Sequence, residues 1–481
     1  MQSIDQKTYL EVFEQKLHSL RKLVQDLQRG LPSQTSEQFI QGLDLIIEAV
    51  ELFLRRRVEN LKTTLSGNPK ALSEQIVFHA KVALQILGAL HQQYLPLLHA
   101  ESQRNEYLLY PSIDRAVREF TKSFELTLVP DFEYNYAFDG KENFASREIE
   151  LLEKHSDLDT QAVLTILRNK RVLKQWITFL HFPVADRDSA LNLCVLVHEL
   201  GHLVDETNKI YLELLPIELD RTSFDELVAA RCKTPPFGIT PKPGDKQLTF
   251  ETIFTKRGVQ ARCYLSCNQM LERWIREIIA DVLAIHAIGP ASYFAFHDFL
   301  AYVGAENIAS NSHPAPAFRL QLMLEELKGT MGYMSSSSAI DSVLVEAMPR
   351  VVAGAAGVTY KDDAKVVQRT VETNLSSLLT KIRPVISSHS FTSSTYQENV
   401  PEVLKRLRFG IAPIEVPNAD GGMSPASVVA ILNAGWELYK TDIDEFYGQF
   451  RMDVPKMERL GNLNHLLFKP IEASEVVRRW K

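Results

Sequence analysis

His198-Glu199-Leu200-Gly201-His202 combines two imidazoles and a carboxylate at a spacing that suits metal chemistry. On an α-helix, residues four apart share a face, so His198 and His202 can offer two ring nitrogens to one Zn²⁺. Glu199, about 100° round the helix, stands beside that metal. There it is placed as the general base for a water that the metal activates. A catalytic zinc needs a third protein ligand and an open position. Glu277 is the candidate ligand, and Asp281, four residues on, shares its face. Asp281 is then placed to accept the other N–H of a zinc-bound histidine, fixing its tautomer and raising its basicity.

The elements that must hold these groups are two buried helices. Asn192 to Asp205 reads as the first, nearly apolar all round through Leu191, Val195, Leu196, Val197, Leu200, Leu203 and Val204. Apart from the thiol of Cys194, its ionisable side chains between Leu191 and Val204 are the three of the motif. Burying them is costly unless a metal and partners compensate. Asp186, Asp188 and Ser189 supply capping chemistry just before the apolar run. The second helix is Leu271 to Ile288, with Leu271, Trp274, Ile275, Ile278, Ile279, Val282, Leu283 and Ile285 at helical spacing. An E-x-x-A-D string alone fits any solvated helix edge; this helix is too apolar to leave carboxylates idle. Two core histidines without a metal are the competing reading of the first helix.

His198-Glu199-x-x-His202 followed by Glu277-x-x-Ala280-Asp281 resembles the gluzincin arrangement of zinc metallopeptidases. Ser312-His313-Pro314-Ala315-Pro316-Ala317-Phe318-Arg319-Leu320 is similar to the S/T-H-P-x-x-x-x-R-I/L stretch of the CAAX prenyl protease and heat-shock membrane protease family, and the three motifs keep that order. The resemblance covers Trp176 to Leu327. It implies peptide-bond hydrolysis, His313 near the substrate oxyanion and Arg319 near the zinc helix. Two departures bear on substrate more than on chemistry: this chain has no membrane-spanning run, and a long insertion separates His202 from Glu277.

The rest of the chain, 481 residues, is long enough for several domains and a large core. With 45% hydrophobic and 23% charged residues the composition is that of a soluble globular protein, and a formal charge of −7 disfavours a general nucleic-acid or anionic-membrane binder. The N-terminus has no apolar signal core, no run is long enough to span a membrane, and the four cysteines suit reduced thiols. A cytoplasmic location is the expectation. Cys263 and Cys267, a helical turn apart, read as small core residues more readily than as metal ligands.

The expected fold is mainly α with a small β-sheet, an α+β zincin-like catalytic core flanked by helical domains. The divisions are 1–105, a helical domain; 106–330, the catalytic domain with an insertion at 206–270; and 331–481, a second helical domain. Tyr9, Phe13, Leu17, Leu20, Val24 and Leu27, then Phe39 to Leu65 and Leu72 to Leu98, carry the N-terminal helices. Phe132, Tyr134, Tyr136 and Phe138 form the aromatic face of a strand closed by an Asp139-Gly140 turn. Gln161 to Val172 reads as a short helix. Trp176 to Phe182 is a strand that, by analogy with zincins, takes the sheet-edge position on which an extended peptide pairs. Thr234 to Asp245 is a turn-rich loop suited to a lid, and Met331 to Ser338 marks a boundary. Helical patterns at Asp362 to Ile382, Glu402 to Leu407 and Ser424 to Phe450 complete the chain.

The reading is therefore a zinc metallopeptidase with Glu199 as base and a protein or peptide substrate, whose helical flanks leave room for a regulatory protein partner. A zinc hydrolase of non-peptide amides and a non-enzymatic helical interaction protein with a structural or relic zinc site are the alternatives.

Overall fold

A computed structural model describes residues 6–28, 34–102, 125–131, 137–141, 154, 177–183, 186, 189–214, 216–233, 250–302, 307–386, 390–417, 421–444, 446 and 456–480. The chain is mainly helical with a small sheet, and it divides into two compact units, 1–107 with 122–184, and 108–121 with 185–481.

In the first unit, helices α1 (Gln6–Gln28), α2 (Gln34–Thr64) and α3 (Pro69–Ser102) pack against one another. The apolar spacing in the sequence becomes one core: Phe13, Leu17 and Leu20 of α1 meet Ile46, Val50 and Phe53 of α2 and Ala83, Ile86 and Leu90 of α3. The break at Gly67-Asn68-Pro69 acts as a helix start, because Asn68 Oδ1 accepts the Ala71 N–H at 3.1 Å and Pro69 sits at the first helical position. The expected break at Gly30-Leu31-Pro32 lies outside the described residues. A three-stranded sheet has the order β1 (Glu125–Asp131), β3 (Ile177–Pro183), β2 (Ala137–Lys141).

This sheet corrects two expectations. Strand β3 is central, with β1 parallel on one side and β2 antiparallel on the other, so its backbone is already paired and offers no edge to a peptide. Asp139-Gly140 does not turn the chain but lies inside β2, opposite Phe179 and Thr178. Phe132, Tyr134, Tyr136, Trp176 and the helix expected at Gln161 to Val172 lie outside the described residues.

The second unit is built around α4 (Leu196–Asn208), which a 3-10 turn, Asn192–Val195, introduces. Ser189 Oγ accepts the Asn192 N–H at 3.2 Å and Asp186 Oδ1 accepts the Asn192 side-chain amide at 2.8 Å, so two of the three expected start residues hold this turn. Short α5 (Ile210–Leu214) and α6 (Arg221–Lys233) lead to α7 (Phe250–Ile288). The helix carrying Glu277 is thus 39 residues long and begins well inside the expected insertion. Ile210, Tyr211 and Leu214 of α5, Phe224, Leu227 and Val228 of α6, and Cys263 and Cys267 of α7 belong to the same core as Trp274 and Ile278. The described part of 206–270 therefore contributes to this core, while the loop expected at Thr234 to Asp245 lies outside the described residues. Burial pushes the Cys194 and Cys267 thiols up to about 12, so both stay protonated at neutral pH.

Helices α8 (Pro290–Tyr302), α9 (Pro316–Gly329), α10 (Ala339–Ala356), α11 (Asp362–Ile386) and α12 (Ser393–Arg408) follow, then the hairpin β4 (Glu415–Pro417) and β5 (Met423–Pro425), α13 (Val428–Thr441) and α14 (Lys456–Trp480). The stretch 331–338 is a packed turn, with Met331 and Tyr333 buried, Tyr333 Oη donating to the Phe391 carbonyl at 2.8 Å, and Asp341 Oδ1 accepting the Met334 N–H. The C-terminal helices buttress the segments that carry His198 and Glu277. Asn433 of α13 takes the Ala291 N–H and donates to the Ile288 carbonyl; Asn464 of α14 takes the Leu191 N–H and donates to Ser189 Oγ. No helix among the described residues is long and apolar enough to cross a membrane.

Candidate metal centre

Helical spacing on α4 puts the His198 and His202 rings on one side, with centroids 4.8 Å apart. Facing them from α7, Glu277 Oε2 lies 3.3 Å from His198 Nε2 and Oε1 lies 3.4 Å from His202 Nε2. Among the described residues this is the one grouping of three or more His, Cys, Asp or Glu with ligand atoms all within 4.8 Å, and Cys263 and Cys267 join none. Two bonds of about 2.05 Å at a tetrahedral angle separate their ligand atoms by about 3.3 Å, so the spacing fits a zinc-sized ion.

The approach of the two helices depends on small residues. A Cβ at Gly201 would stand 2.6 Å from Ala280 Cα and 2.9 Å from its carbonyl oxygen. Gly201 inside the histidine motif and Ala280 inside E-x-x-A-D are therefore the contact that brings Glu277 within reach of both imidazoles.

Asp281 and Arg319 stand directly behind the ligands. Arg319 of α9 donates from Nε to Asp281 Oδ2 at 2.7 Å and from Nη2 to Asp281 Oδ1 at 2.8 Å, a bidentate fork. Its Nη2 is also 3.0 Å from Glu277 Oε2 and 3.3 Å from His198 Nε2. His198 Nδ1 sits 2.9 Å from Asp281 Oδ1, an ionic contact whose N–H is poorly aligned for a hydrogen bond. An Nδ1–H on that side makes Nε2, the nitrogen facing Glu277, the acceptor of the Arg319 Nη2 hydrogen bond. Phe296 of α8 completes the wall: the Arg319 guanidinium lies 4.5 Å from its ring centroid and the ring stacks on His198 at 5.7 Å. Nothing in the local sequence around Phe296 marks it for this position.

Charge also favours a cation here. Glu199, Glu277 and Asp281 are buried with one buried arginine, so with neutral imidazoles the site carries an excess of negative charge that a divalent ion offsets. The titration of His198 shows the same imbalance. Burial pulls its pKa down, Asp281 and Glu277 outweigh that, and the result is about 10. Burial raises the Glu277 and Asp281 carboxyls, yet the Arg319 charge and the His198 contacts hold both below the usual carboxylate range. The donor set and the charge both fit a metal cation that His198, His202 and Glu277 could hold.

Glu199 is buried at 8% exposure and makes no hydrogen bond or ion pair with any described residue. His313 has a side chain 53% exposed, with Nε2 3.6 Å from Glu277 Oε1, on the open side of the cluster. Burial lowers its pKa, and Ser312 Oγ lies 2.8 Å from its Nδ1. The turn bearing it is pinned to α7, since Trp274 Nε1 donates to the Ser310 carbonyl and Ser310 Oγ accepts the His313 N–H. All seven residues singled out in the sequence thus converge on one place. The chain matches no protein-family model, no curated protein and no solved structure.

Proposed function

We propose that this chain is a zinc-dependent metallopeptidase in which Glu199 is the general base. The observation that carries the reading is the contrast between carboxylates. Asp281 is engaged by Arg319 on both oxygens and Glu277 faces both imidazoles, whereas Glu199 is buried and uncommitted. A structural metal site has no use for such a group; a proton-transferring one requires it.

Bound zinc supplies Lewis acidity, acidifying water and polarising a carbonyl. Glu199 takes the proton of the attacking water and passes it to the leaving amine. Asp281 holds the His198 tautomer, and Arg319 keeps Asp281 and Glu277 ionised. With Ser312 Oγ donating to Nδ1, His313 carries its proton on Nε2 and donates it as a hydrogen bond to the developing oxyanion. Access to the cluster runs along the side of His202 and His313, the more exposed of the imidazoles.

The test is metal content by mass spectrometry alongside a peptidase assay. Glu199→Gln is expected to keep one zinc per chain and lose activity by about 10²- to 10⁴-fold, the share of a positioned acid–base group. Glu277→Ala is expected to lose the zinc. Full activity in Glu199→Gln would sink the mechanism, and wild-type protein without zinc would return His198 and His202 to core histidines.

A further inference from the structure

Helix α10 turns an apolar side outward. Val345, Pro349, Val352, Ala353 and Ala356 are all exposed, Val345 at 50% and Val352 at 40%, and their spacing sets them in one stripe along the helix. The opposite side, through Ile340, Leu344 and Val351, is buried. An outward side is normally polar, and the next two helices obey that rule: α11 exposes Lys365, Arg369, Glu372 and Lys381, and α12 exposes Gln397, Glu398 and Lys405. Pro349, Ala353 and Ala356 lose no rotamer freedom when covered, so covering the stripe has a small entropic cost. Apolar surface continues past the helix, because Val352 and Ala356 border an open groove also lined by Phe318, Leu322 and Leu375. Contiguous apolar surface of this kind marks a protein contact.

Two charges say what covers it. By the helix period, Glu346 and Arg350 stand one turn apart along the border of the stripe away from the groove. Both are exposed, and neither side chain makes a hydrogen bond or ion pair with any described residue. Opposite charges placed this way are complementary to their own copy. When two copies of one helix pack antiparallel about a two-fold axis, each border meets the same border of the other copy, running the other way. Glu346 then meets the partner's Arg350, and Arg350 meets the partner's Glu346. A parallel pairing would instead set both charges against the border that holds Val352 and Ala355. We propose that the outward side of α10 is the contact of an antiparallel homodimer, the two stripes packed on each other and one border closed by two Glu346–Arg350 pairs. None of the metal-cluster residues lies on α10, so the contact is independent of the metallopeptidase reading.

The experiment is analytical ultracentrifugation of the full chain across a dilution series. The wild type is expected to dimerise reversibly in the micromolar range, weakly because one helix face buries less than about 1,200 Å². Glu346→Arg and Arg350→Glu each set like charges opposite one another and are each expected to weaken the dimer at least about tenfold. Their circular dichroism melts are expected to match the wild type, since both positions are exposed. The variant carrying both changes restores opposite charges and is expected to regain the dimer, and an equimolar mixture of the two single variants is expected to form a heterodimer. Val352→Glu, at an exposed position of the stripe, is expected to leave the chain monomeric. A wild type monomeric at every concentration, a dimer indifferent to either charge reversal, or a double variant or mixture that stays monomeric each overturns the proposal. Should a charge variant fail to fold, Val352→Glu decides alone, and a dimer that persists in it overturns the proposal.

Discussion

Arg319 brings one positive charge into a space that already holds Asp281, Glu277 and Glu199. Its fork on Asp281 and its Nη2 beside Glu277 keep two buried carboxylates ionised, and Phe296 covers its face. Removing one partner from a buried ionic network leaves the others uncompensated, at a cost of about 3–5 kcal/mol. Arg319→Ala is expected to lose that much stability in urea unfolding, and less when zinc is present to supply charge. Arg319→Lys retains the charge but not the two-pronged geometry, and is expected to fall between wild type and alanine. Equal stability of all three proteins would show that Asp281 and Glu277 are not held by this residue.

Between elements, the decisive contact is the crossing of α4 and α7 at Gly201 and Ala280. The clash that a side chain at 201 creates is with the Ala280 backbone, 2.6 Å from Cα, so no rotamer change relieves it. Overpacking of this kind costs about 1–3 kcal/mol. Gly201→Ala is expected at the upper end, with zinc affinity reduced as well, because the helices must part where Glu277 reaches the imidazoles. Adding Ala280→Gly removes only the Cβ, whose distance is 3.1 Å, and is expected not to restore zinc binding. Restoration in the double variant, measured by metal titration, would contradict this account of the crossing.

Across the second unit, a buried network ties together helices far apart in sequence. Glu326 of α9 accepts from Arg383 of α11, Nη2 to Oε1 at 2.5 Å, and its Oε2 lies 3.3 Å from His286 Nε2 of α7; His286 Nδ1 lies 2.8 Å from Ser390 Oγ. Burial raises the Glu326 carboxyl, while His286 and Arg383 more than offset this and bring it down to about 2. A carboxyl with a folded pKa below its unfolded value of about 4.5 contributes stability at higher pH, and that contribution is lost as pH falls from 4.5 towards 2. The shift corresponds to about 3 kcal/mol. Acid unfolding of Glu326→Gln is expected to lack this pH-dependent part between pH 4.5 and 2 and to begin from a lower stability at neutral pH. An unchanged acid profile would place the acid sensitivity elsewhere.

The sequence by itself determined what the helix period controls. His198 and His202 share a face because four residues nearly complete a turn, and Glu277 with Asp281 repeats the rule on α7; the apolar flanks of both segments required burial, and burial required company for the charges. The same period made the three N-terminal helices legible. Only the tertiary structure decided what depends on chain segments meeting across long separations. It set the grip of Arg319 on Asp281, the cover supplied by Phe296, and the contact of Gly201 with Ala280. It also extended the Glu277 helix through a segment read as an insertion and set β3 between two neighbours instead of at an edge. Alternation shows that a strand exists but not which strands flank it, because pairing is fixed by residues elsewhere in the chain. Similarly, Asn433 and Asn464 carry no motif, and their role in bracing the segments that carry His198 and Glu277 comes from the hydrogen bonds they make on arrival.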